Sequence, residues 1–296
     1  MEPRSERLLL ILADISGYTK FMLASQVSRV HGQQVITALI EAILAEVEIP
    51  LQVKEIEGDA VFLYSVRPED DQAWHQVSAE VGRKLLRFFE AFAAVLVAES
   101  ESTLCRCAVC ANMHQLKLKI IVHSGEALFH SIGNFADVSG VDVILVHRLL
   151  KNSVDSDEYI LMTESAYRDL RFPTELEVYR SSETYEGFGS ISTFVHLPGG
   201  AFEKSRQTFL SGDAGHILAT TLGGGLREVR GQFKTLLQGE QLAELRHLPM
   251  KRRGATRSIL AGLLLLLMAP IQLLLFPPLT SVRAMIRRHR RRRLEP

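Results

Sequence analysis

The stretch LLLILADISGYT, residues 8–19, decides the fold, because an unbroken apolar run ends there at one carboxylate and a glycine turn. A short continuous apolar run bounded by a turn signal is typical of a strand buried on both faces. Asp14 lies where such a strand leaves the core, and a carboxylate at that place can hold a hard cation, with backbone N–H groups nearby for phosphate. The alternative is that Asp14 caps the next helix, since Asp is a favourable N-cap residue.

A second carboxylate follows at the tip of a predicted hairpin. Residues 18–48 carry apolar positions at helical spacing, which predicts one short helix and one longer helix. The alternating run 51–57 and the run 60–64 then flank Gly58-Asp59, a strong two-residue hairpin signal. Asp59 is therefore expected between two strands.

The rest of the periodic part predicts a mixed α+β domain with an antiparallel sheet covered by helices on one side. The expected elements are a helix at 70–98, a strand at 116–123, a turn at 124–126 with a hairpin partner at 127–130, a loop at 134–140, a helix at 141–150, a strand at 158–162, a short helix at 163–171 and two closing strands within 174–196.

Composition argues against a secreted, disulfide-linked protein. The chain has 296 residues, 47% of them hydrophobic, and a formal net charge of zero that combines a balanced body with an arginine-rich end. The charged opening, residues 1–7, leads into an apolar run that ends at an acid, which is unlike a secretory signal. The three cysteines are clustered and odd in number, so we expect no disulfide framework and a reducing setting.

Four fragments in this order resemble the class III nucleotidyl cyclase homology domain, over roughly residues 6–196. They are Leu-Ala-Asp-Ile-Ser-Gly-Tyr-Thr at 12–19, Lys-Glu-Ile-Glu-Gly-Asp at 54–59, Ile-Ile-Val-His-Ser-Gly-Glu at 120–126, and Asp-Val-Ser-Gly at 137–140 leading to His-Arg-Leu at 147–149. The residues in these fragments are most similar to those of a divergent, uncharacterised branch of that superfamily. The resemblance implies a ferredoxin-like cyclase-homology sheet, mostly antiparallel and covered by helices.

The resemblance also implies a metal site for a phosphate reaction. In that family a ribose 3′-oxygen attacks the α-phosphate and pyrophosphate leaves, which Mg²⁺ or Mn²⁺ assists. By resemblance the metal is held by Asp14 and Asp59. Backbone N–H groups that would contact the phosphates belong to Ile15, Ser16, Gly17 and Tyr18.

The substrate implied by the resemblance is a nucleoside triphosphate, and the site needs two subunits. Lys54 and Asp137 are the residues of this chain that the resemblance offers for contact with the nucleotide base. Arg148 corresponds to the arginine that a partner subunit supplies to the developing charge. We therefore expect a homodimer, most simply a two-fold one.

Three positions depart from the family's pattern. Glu55 stands four residues before Asp59, where the pattern has lysine, and Lys54 stands five before, so it faces the other way unless a bulge corrects the register. Ile144 replaces a ribose-orienting asparagine, and the aspartate after the loop glycine is displaced to Asp142. Two functions stay open: a metal-dependent nucleotidyl cyclase, or an inactive module that binds a nucleotide or a protein partner at the membrane.

The cysteines suggest a second metal. Cys105, Cys107 and Cys110, with His114 four residues later, form Cys-x-Cys-x-x-Cys-x₃-His. Three thiolates and one imidazole can close a tetrahedral Zn²⁺ site that braces the sheet. The alternative is a loop of unligated thiols or a transient redox role.

The C-terminal part predicts attachment to a membrane. Residues 259–279 are almost wholly apolar, about 21 residues and long enough to cross a bilayer. Basic residues lie on both flanks, which favours a re-entrant hairpin bent near Pro270 and arginines on acidic lipid. A buried core helix is the alternative, and nucleic acid is a less favoured ligand of the arginines.

These expectations divide the chain into four parts. They are a cyclase-homology domain at 1–196, a linker with an amphipathic helix at 197–257, a hydrophobic membrane segment at 258–280 and a basic tail at 281–296. The expected location is the cytoplasmic side of the inner membrane, with lipid contacts through the C-terminal segment and no specific nucleic acid partner.

Overall fold

A computed structural model describes residues 3–25, 29–102 and 107–211. All of them fall in the first of the two units into which the chain divides, residues 1–249. The strands are β1 (Arg4–Ser16), β2 (Gln52–Glu57), β3 (Ala60–Val66), β4 (Lys117–Ile132), β5 (Phe135–Ser139), β6 (Tyr159–Thr163), β7 (Val178–Tyr185) and β8 (Gly189–His196). The helices are α1 (Tyr18–Ala24), α2 (Arg29–Ala45), α3 (Asp71–Ser102), α4 (Ala108–Asn112), α5 (Val141–Arg148), α6 (Glu164–Asp169) and α7 (Ala201–Leu210), with a 3₁₀ turn at Met113–Gln115.

The apolar run at the start of the chain forms the centre of the sheet. The strand order is β2-β3-β1-β4-β6-β8-β7, with β5 paired to β4, so β1 has neighbours on both sides and is antiparallel to each. Residues Leu8–Ala13 are almost completely buried. A strand covered on both faces must be apolar at every position, which is why this run does not alternate. The mixed α+β class and the mostly antiparallel sheet are confirmed, with one parallel pair among the described strands, β4 with β6.

Helices cover both faces of the sheet, so the expectation of helices on one side is wrong. Alternate residues of β1 point to opposite faces. Leu9 and Ile11 join one apolar cluster with residues of α2 and α3. Leu10 and Leu12 join the other, which includes Leu145 of α5. The physical reason is that both faces of β1 are apolar and each needs its own cover.

The predicted hairpin is present and contains a bulge. Gly58, with φ of +66°, takes the first position of the two-residue turn between β2 and β3, where a glycine is favoured. The register of β2 against β3 shifts between Val53 and Glu55, so Lys54 is the extra residue. A bulge re-aims the side chain at that place.

The prediction of a turn at residues 124–126 is wrong. β4 runs unbroken through these residues, and its hairpin partner is β5, in the part predicted as loop. Gly125 is required there for another reason: a Cβ at this position would lie 2.2 Å from Asp142 Oδ2. The glycine makes room for a side chain of α5 and does not bend the chain.

The described part of the chain extends beyond the predicted domain end at 196. α7 lies in the range predicted as linker, and its Arg206 Nε donates to Glu101 Oε1 of α3 at 2.7 Å. Within the described residues, no helix combines the length and the apolar character that crossing a bilayer requires. The predicted amphipathic helix (226–247), the membrane segment (258–280) and the basic tail (281–296) lie outside the described residues.

Candidate active site

The two predicted metal-binding carboxylates come from neighbouring strands at one end of the sheet. Asp14 lies opposite Ala60 in the β1–β3 pair, and Ile15 N donates to Asp59 O at 3.2 Å. The hairpin turn therefore lies directly against the end of β1. The Asp14 side chain is only 14% exposed, and Asp59 is partly buried.

The charges of these two groups interact. Burial, and then the negative charge of Asp14, raise the pKa of Asp59 from 3.8 to about 6. Like charges that share a site produce such a rise, because each disfavours ionisation of the other. The two carboxylates, far apart in sequence, thus act on each other in the folded chain.

A lysine that the sequence analysis did not single out lies beside them. Lys119 is opposite Asp14 in the β1–β4 pair, and its Nζ is 2.9 Å from Asp14 Oδ2. Its charge lowers the pKa of Asp59 but does not offset burial and the charge of Asp14. The alternation of Lys117 and Lys119 in the sequence could have indicated the face, but not the register that brings Lys119 to Asp14.

Asp14 and Asp59 are the residues at this place that could hold a divalent cation. Carboxylate oxygens are the ligands that Mg²⁺ and Mn²⁺ prefer. Burial and the charge of Asp14 keep the pKa of Asp59 raised although Lys119 is present. A divalent ion bound to Asp14 would compete with the Lys119 ammonium.

One of the backbone N–H groups predicted to contact phosphate already donates a hydrogen bond within the protein. Ile15 and Ser16 are the last residues of β1, and the Ile15 N–H donates to Asp59 O. Gly17 adopts φ of +84°, and a Cβ there would lie 3.1 Å from Gln115 O. Tyr18 begins α1. Of the four predicted N–H donors, the one of Ile15 already has an acceptor.

The two predicted base-contacting residues form an ion pair. Lys54 Nζ lies 3.0 Å from Asp137 Oδ1, with side chains 14% and 39% exposed. The pKa of Asp137 is lowered, mainly because Lys54 donates a hydrogen bond to it and also because Val138 N does so. The bulge at Lys54 is the correction that the sequence analysis required if this lysine was to reach the site.

Arg148 lies at the end of α5, on the side of the helix that faces away from the sheet. Arg148 is exposed, and Val141 and Ile144, seven and four residues earlier on the same side, are 66% and 52% exposed. Leu145 and Val146 are buried against the sheet. Exposed apolar side chains beside a basic group are typical of a surface that contacts a second molecule.

The start of α5 is fixed by a network centred on His123, to which the sequence analysis assigned no role. His123 Nε2 lies 3.2 Å from Asp142 Oδ1, and its Nδ1 lies 2.9 Å from Thr163 Oγ1. Glu126 N donates to Asp142 Oδ2 at 2.7 Å. The hydrogen bond from His123 lowers the pKa of Asp142. The displaced aspartate thus anchors the helix that carries Arg148.

The other end of α5 contacts the Asp59 hairpin. His147 packs edge-on against Phe62 with ring centroids 5.1 Å apart, and its Nδ1 lies 3.6 Å from Glu57 Oε2. Burial raises the pKa of Glu57, and the charge of His147 opposes this. α5 is therefore held at both ends relative to the carboxylate pair.

The predicted zinc ligands are only partly brought together. Cys107 and Cys110 lie close to each other and to His31 of α2. His114 is exposed and does not belong to this group. Cys105 lies outside the described residues, so its role stays a prediction.

Comparison with known families and sequences gives two matches without an assigned function. Residues 36–159, less than half of the chain, match the model of a family described as "Protein of unknown function (DUF2652)". The "Uncharacterized protein Rv2561/Rv2562" of Mycobacterium tuberculosis is 35% identical over 89 residues, which is 30% of this chain and 42% of that protein. The chain thus spans less than half the length of this curated relative.

Similar solved structures include several nucleotide cyclases. The guanylyl cyclase Cya2 has a TM-score of 0.43 and 14% identity, covering 66% of this chain and 94% of its own. A bacterial light-regulated adenylyl cyclase has a TM-score of 0.47 and 14% identity, covering 70% and 59%. The guanylyl cyclase domain of the RhoGC fusion protein from Blastocladiella emersonii has a TM-score of 0.48 and 16% identity, covering 67% and 98%. Similarities of this size do not assign a function to this chain.

Proposed function

We propose that this protein is a class III nucleotidyl cyclase-like enzyme that converts a nucleoside triphosphate into a 3′,5′-cyclic nucleotide and pyrophosphate. The observation that carries the proposal is the carboxylate pair at the end of β1: Ile15 N donates to Asp59 O, and burial together with the charge of Asp14 raises the pKa of Asp59. Paired carboxylates on adjacent strands are suited to hold a divalent cation against a triphosphate.

The proposed reaction needs little covalent participation from the protein. The ribose 3′-oxygen bonds to the α-phosphorus, the bond from that phosphorus to the bridging oxygen breaks, and pyrophosphate leaves with the electron pair. The proton of the 3′-hydroxyl is released. A Mg²⁺ or Mn²⁺ ion, when bound, would neutralise phosphate charge and favour the alkoxide. Asp14 and Asp59 would hold that ion, and Lys119 would add a fixed positive charge beside it.

The Lys54–Asp137 pair supports recognition of a nucleobase. Lys54 donates hydrogen bonds and Asp137 accepts them, and the two groups lie 3.0 Å apart. The Watson–Crick edge of a base, adenine or guanine included, presents an adjacent donor and acceptor. A bound base could separate Lys54 from Asp137 and form one hydrogen bond with each. Both charged groups would then still have a hydrogen-bond partner.

The proposed enzyme is a homodimer. The exposed face of Val141, Ile144 and Arg148 places an arginine beside apolar surface. Two more exposed apolar side chains, Ile132 (63%) and Phe135 (79%), lie at the β4–β5 hairpin. Burial of such surface against a second copy would stabilise a dimer and bring Arg148 towards the substrate of that copy.

An inactive nucleotide-binding module is the second candidate, and one substitution favours it. Ile144 takes the place where the resemblance expects a ribose-orienting asparagine, and its side chain can neither donate nor accept a hydrogen bond. Such a module would still use Lys54 and Asp137 to bind a nucleotide, but it would release it unchanged.

A product assay separates the two candidates. Full-length protein is incubated with each of the four nucleoside triphosphates and Mn²⁺ or Mg²⁺, and cyclic nucleotide is measured. We expect product from wild type, a loss of at least about 100-fold in Asp14→Asn and Asp59→Asn, and no loss in Glu175→Gln, a matched change at an exposed carboxylate between α6 and β7. Nucleotide binding without product in any mixture would reject the enzyme in favour of the module.

We also propose that the C-terminal end attaches the protein to the cytoplasmic side of the inner membrane. The apolar residues 258–280 and the arginine-rich residues 281–296 support this, because one suits the acyl region and the other suits acidic headgroups.

A further inference from the structure

Outside the candidate active site, one cluster of metal-ligating side chains joins two helices that are far apart in sequence. Cys107 Sγ lies 3.6 Å from Cys110 Sγ and 3.5 Å from His31 Nδ1. Cys110 Sγ lies 4.0 Å from His31 Nε2. One ligand atom from each residue lies within 4.8 Å of the other two.

The local structure explains how the cluster forms. Cys107 is the N-cap residue of α4 and Cys110 lies in its first turn, so a spacing of three residues puts both thiols on one side. His31 lies in the first turn of α2, which the fold brings against that side. The chain thus supplies two soft ligands from one short helix and one imidazole from another.

Two of the ligand separations match a tetrahedral zinc site, and the third, between Cys110 Sγ and the imidazole, is bounded at 4.8 Å. With Zn–S bonds of about 2.3 Å and Zn–N bonds of about 2.0–2.1 Å, tetrahedral angles put two sulfurs about 3.8 Å apart and a sulfur and a nitrogen about 3.5 Å apart. The observed separations are 3.6 Å between the sulfurs and 3.5 Å from Cys107 Sγ to His31 Nδ1. A disulfide would require the sulfurs at about 2.05 Å.

The chemistry of the ligands selects the metal. Two thiolates and an imidazole suit Zn²⁺ and are poor ligands for Mg²⁺, which prefers oxygen. Cys107 is 8% exposed, while Cys110 and His31 are partly buried. The described residues thus supply three ligands from a partly buried place, and a tetrahedral ion takes four.

We propose that His31, Cys107 and Cys110 form a Zn²⁺ site that ties α4 to α2. This link between α4 and α2 would also affect the segment next to the candidate active site. The 3₁₀ turn after α4 ends at Gln115, whose carbonyl oxygen would lie 3.1 Å from a Cβ at Gly17, directly after β1. Zinc would thus brace the segment against which the turn after Asp14 packs.

Metal analysis with matched histidine variants tests this assignment. Full-length protein is loaded with Zn²⁺ under reducing conditions, freed of unbound metal and analysed for zinc per chain. We expect about one zinc per wild-type chain, retention in His114→Ala, and affinity in His31→Ala weakened by more than about 100-fold, since even the loss of an outer-shell partner costs 10–100-fold. Full zinc in His31→Ala with loss in His114→Ala would overturn the assignment.

Cobalt gives a second readout, whose main observation is made on wild type. Co²⁺ bound to wild type should show thiolate-to-cobalt charge transfer and the intense visible bands of tetrahedral coordination, both weakened in Cys110→Ser. Removal of zinc by a chelator should also lower the melting temperature of wild type. Wild type that binds neither metal in stoichiometric amount, with unchanged melting after chelation, would show that the cluster is only a hydrogen-bonded thiol pair.

Discussion

Lys119 Nζ lies 2.9 Å from Asp14 Oδ2, across the β1–β4 pair, so the candidate metal site contains a positive charge of its own. The two side chains are 20% and 14% exposed, so water screens them only in part. The ammonium balances part of the charge of Asp14 and Asp59, and the pKa of Asp59 stays at about 6. Because Lys119 already supplies one positive charge, we expect the site to take one divalent cation. The same charges lead to the predictions below on cation affinity and on the pH dependence of stability.

Replacing Lys119 by methionine should strengthen cation binding. The change removes a competitor for Asp14 while keeping the length and the apolar part of the side chain. We expect affinity for Mn²⁺ to rise about fivefold to thirtyfold, which corresponds to about 1–2 kcal/mol. Electron paramagnetic resonance of unbound Mn²⁺ measures the affinity. Lys117→Met, two residues earlier on β4, is the matched control, and equal affinity in the two variants would contradict the role of Lys119.

Asp59 should make stability depend on pH. Its folded pKa of about 6 lies above the ordinary value of 3.8, so the contribution of this group is fully present below about pH 4 and is lost as the pH rises through 6. Asp59→Asn should therefore be more stable than wild type at pH 7, by up to about 2 kcal/mol after allowance for partial exposure. Near pH 4 the difference should vanish. Urea unfolding of both proteins at pH 4, 5, 6 and 7 measures it, and a difference independent of pH would exclude the titration of Asp59 as its cause.

Lys54 should contribute to nucleotide affinity more than to folding. A hydrogen bond to a charged group is worth about 1.5–3 kcal/mol when its partner is buried, so Lys54→Met should weaken binding of a purine nucleotide by about tenfold or more. The ion pair with Asp137 is partly exposed, so unfolding should change by less than about 1 kcal/mol. Calorimetric titration and thermal melting measure the two effects. Glu55→Gln, at the exposed neighbouring position, should leave nucleotide affinity unchanged; a similar loss there would reject a specific role of Lys54.

Gly125→Ala should displace α5. The added Cβ would lie 2.2 Å from Asp142 Oδ2 and 2.8 Å from Asp142 Cβ, so rotation of the aspartate alone cannot relieve the clash. We expect a loss of about 2–4 kcal/mol of stability. In an Asp142→Gly background, the same change should cost much less, because the side chain that it meets is absent. Equal costs in both backgrounds, measured by chemical unfolding, would contradict this role of Gly125.

The arginines near the C-terminus should determine lipid binding. Each basic residue near an acidic membrane contributes about 1 kcal/mol. Full-length protein with Arg290, Arg291, Arg292 and Arg293 changed to glutamine should bind vesicles with acidic lipid at least about tenfold more weakly than wild type. Binding to neutral vesicles, which depends on the apolar segment, should change little. Undiminished binding to acidic vesicles would reject the electrostatic part of the attachment.

The sequence allowed prediction of those features that depend on local pattern. The continuous apolar run of β1, the Gly58-Asp59 turn and the helical periods of α2 and α3 each follow from neighbouring residues, and all are confirmed. Asp14 and Asp59 could be named because Asp14 ends the apolar run of β1 and Asp59 directly precedes β3. Their mutual effect on the pKa of Asp59 is consistent with the expected convergence.

Features that depend on register or on packing between distant segments could not be predicted. Lys119 meets Asp14 only because β1 and β4 pair in one particular register. His31 reaches Cys107 across 76 residues of sequence, whereas the nearer His114 is exposed. The sequence analysis assigned Gly125 to a turn. The residue must be glycine because a Cβ there would clash with the side chain of Asp142, and no local sequence pattern reveals that contact.

The most direct test of the shared carboxylate site is Mn²⁺ binding by wild type, Asp14→Asn and Asp59→Asn, measured by electron paramagnetic resonance on full-length protein. If both carboxylates hold one ion, wild type binds about one Mn²⁺ per chain, and each single substitution weakens binding by at least about tenfold. Binding that survives unchanged in either variant would contradict the account, because the two side chains would then not share an ion.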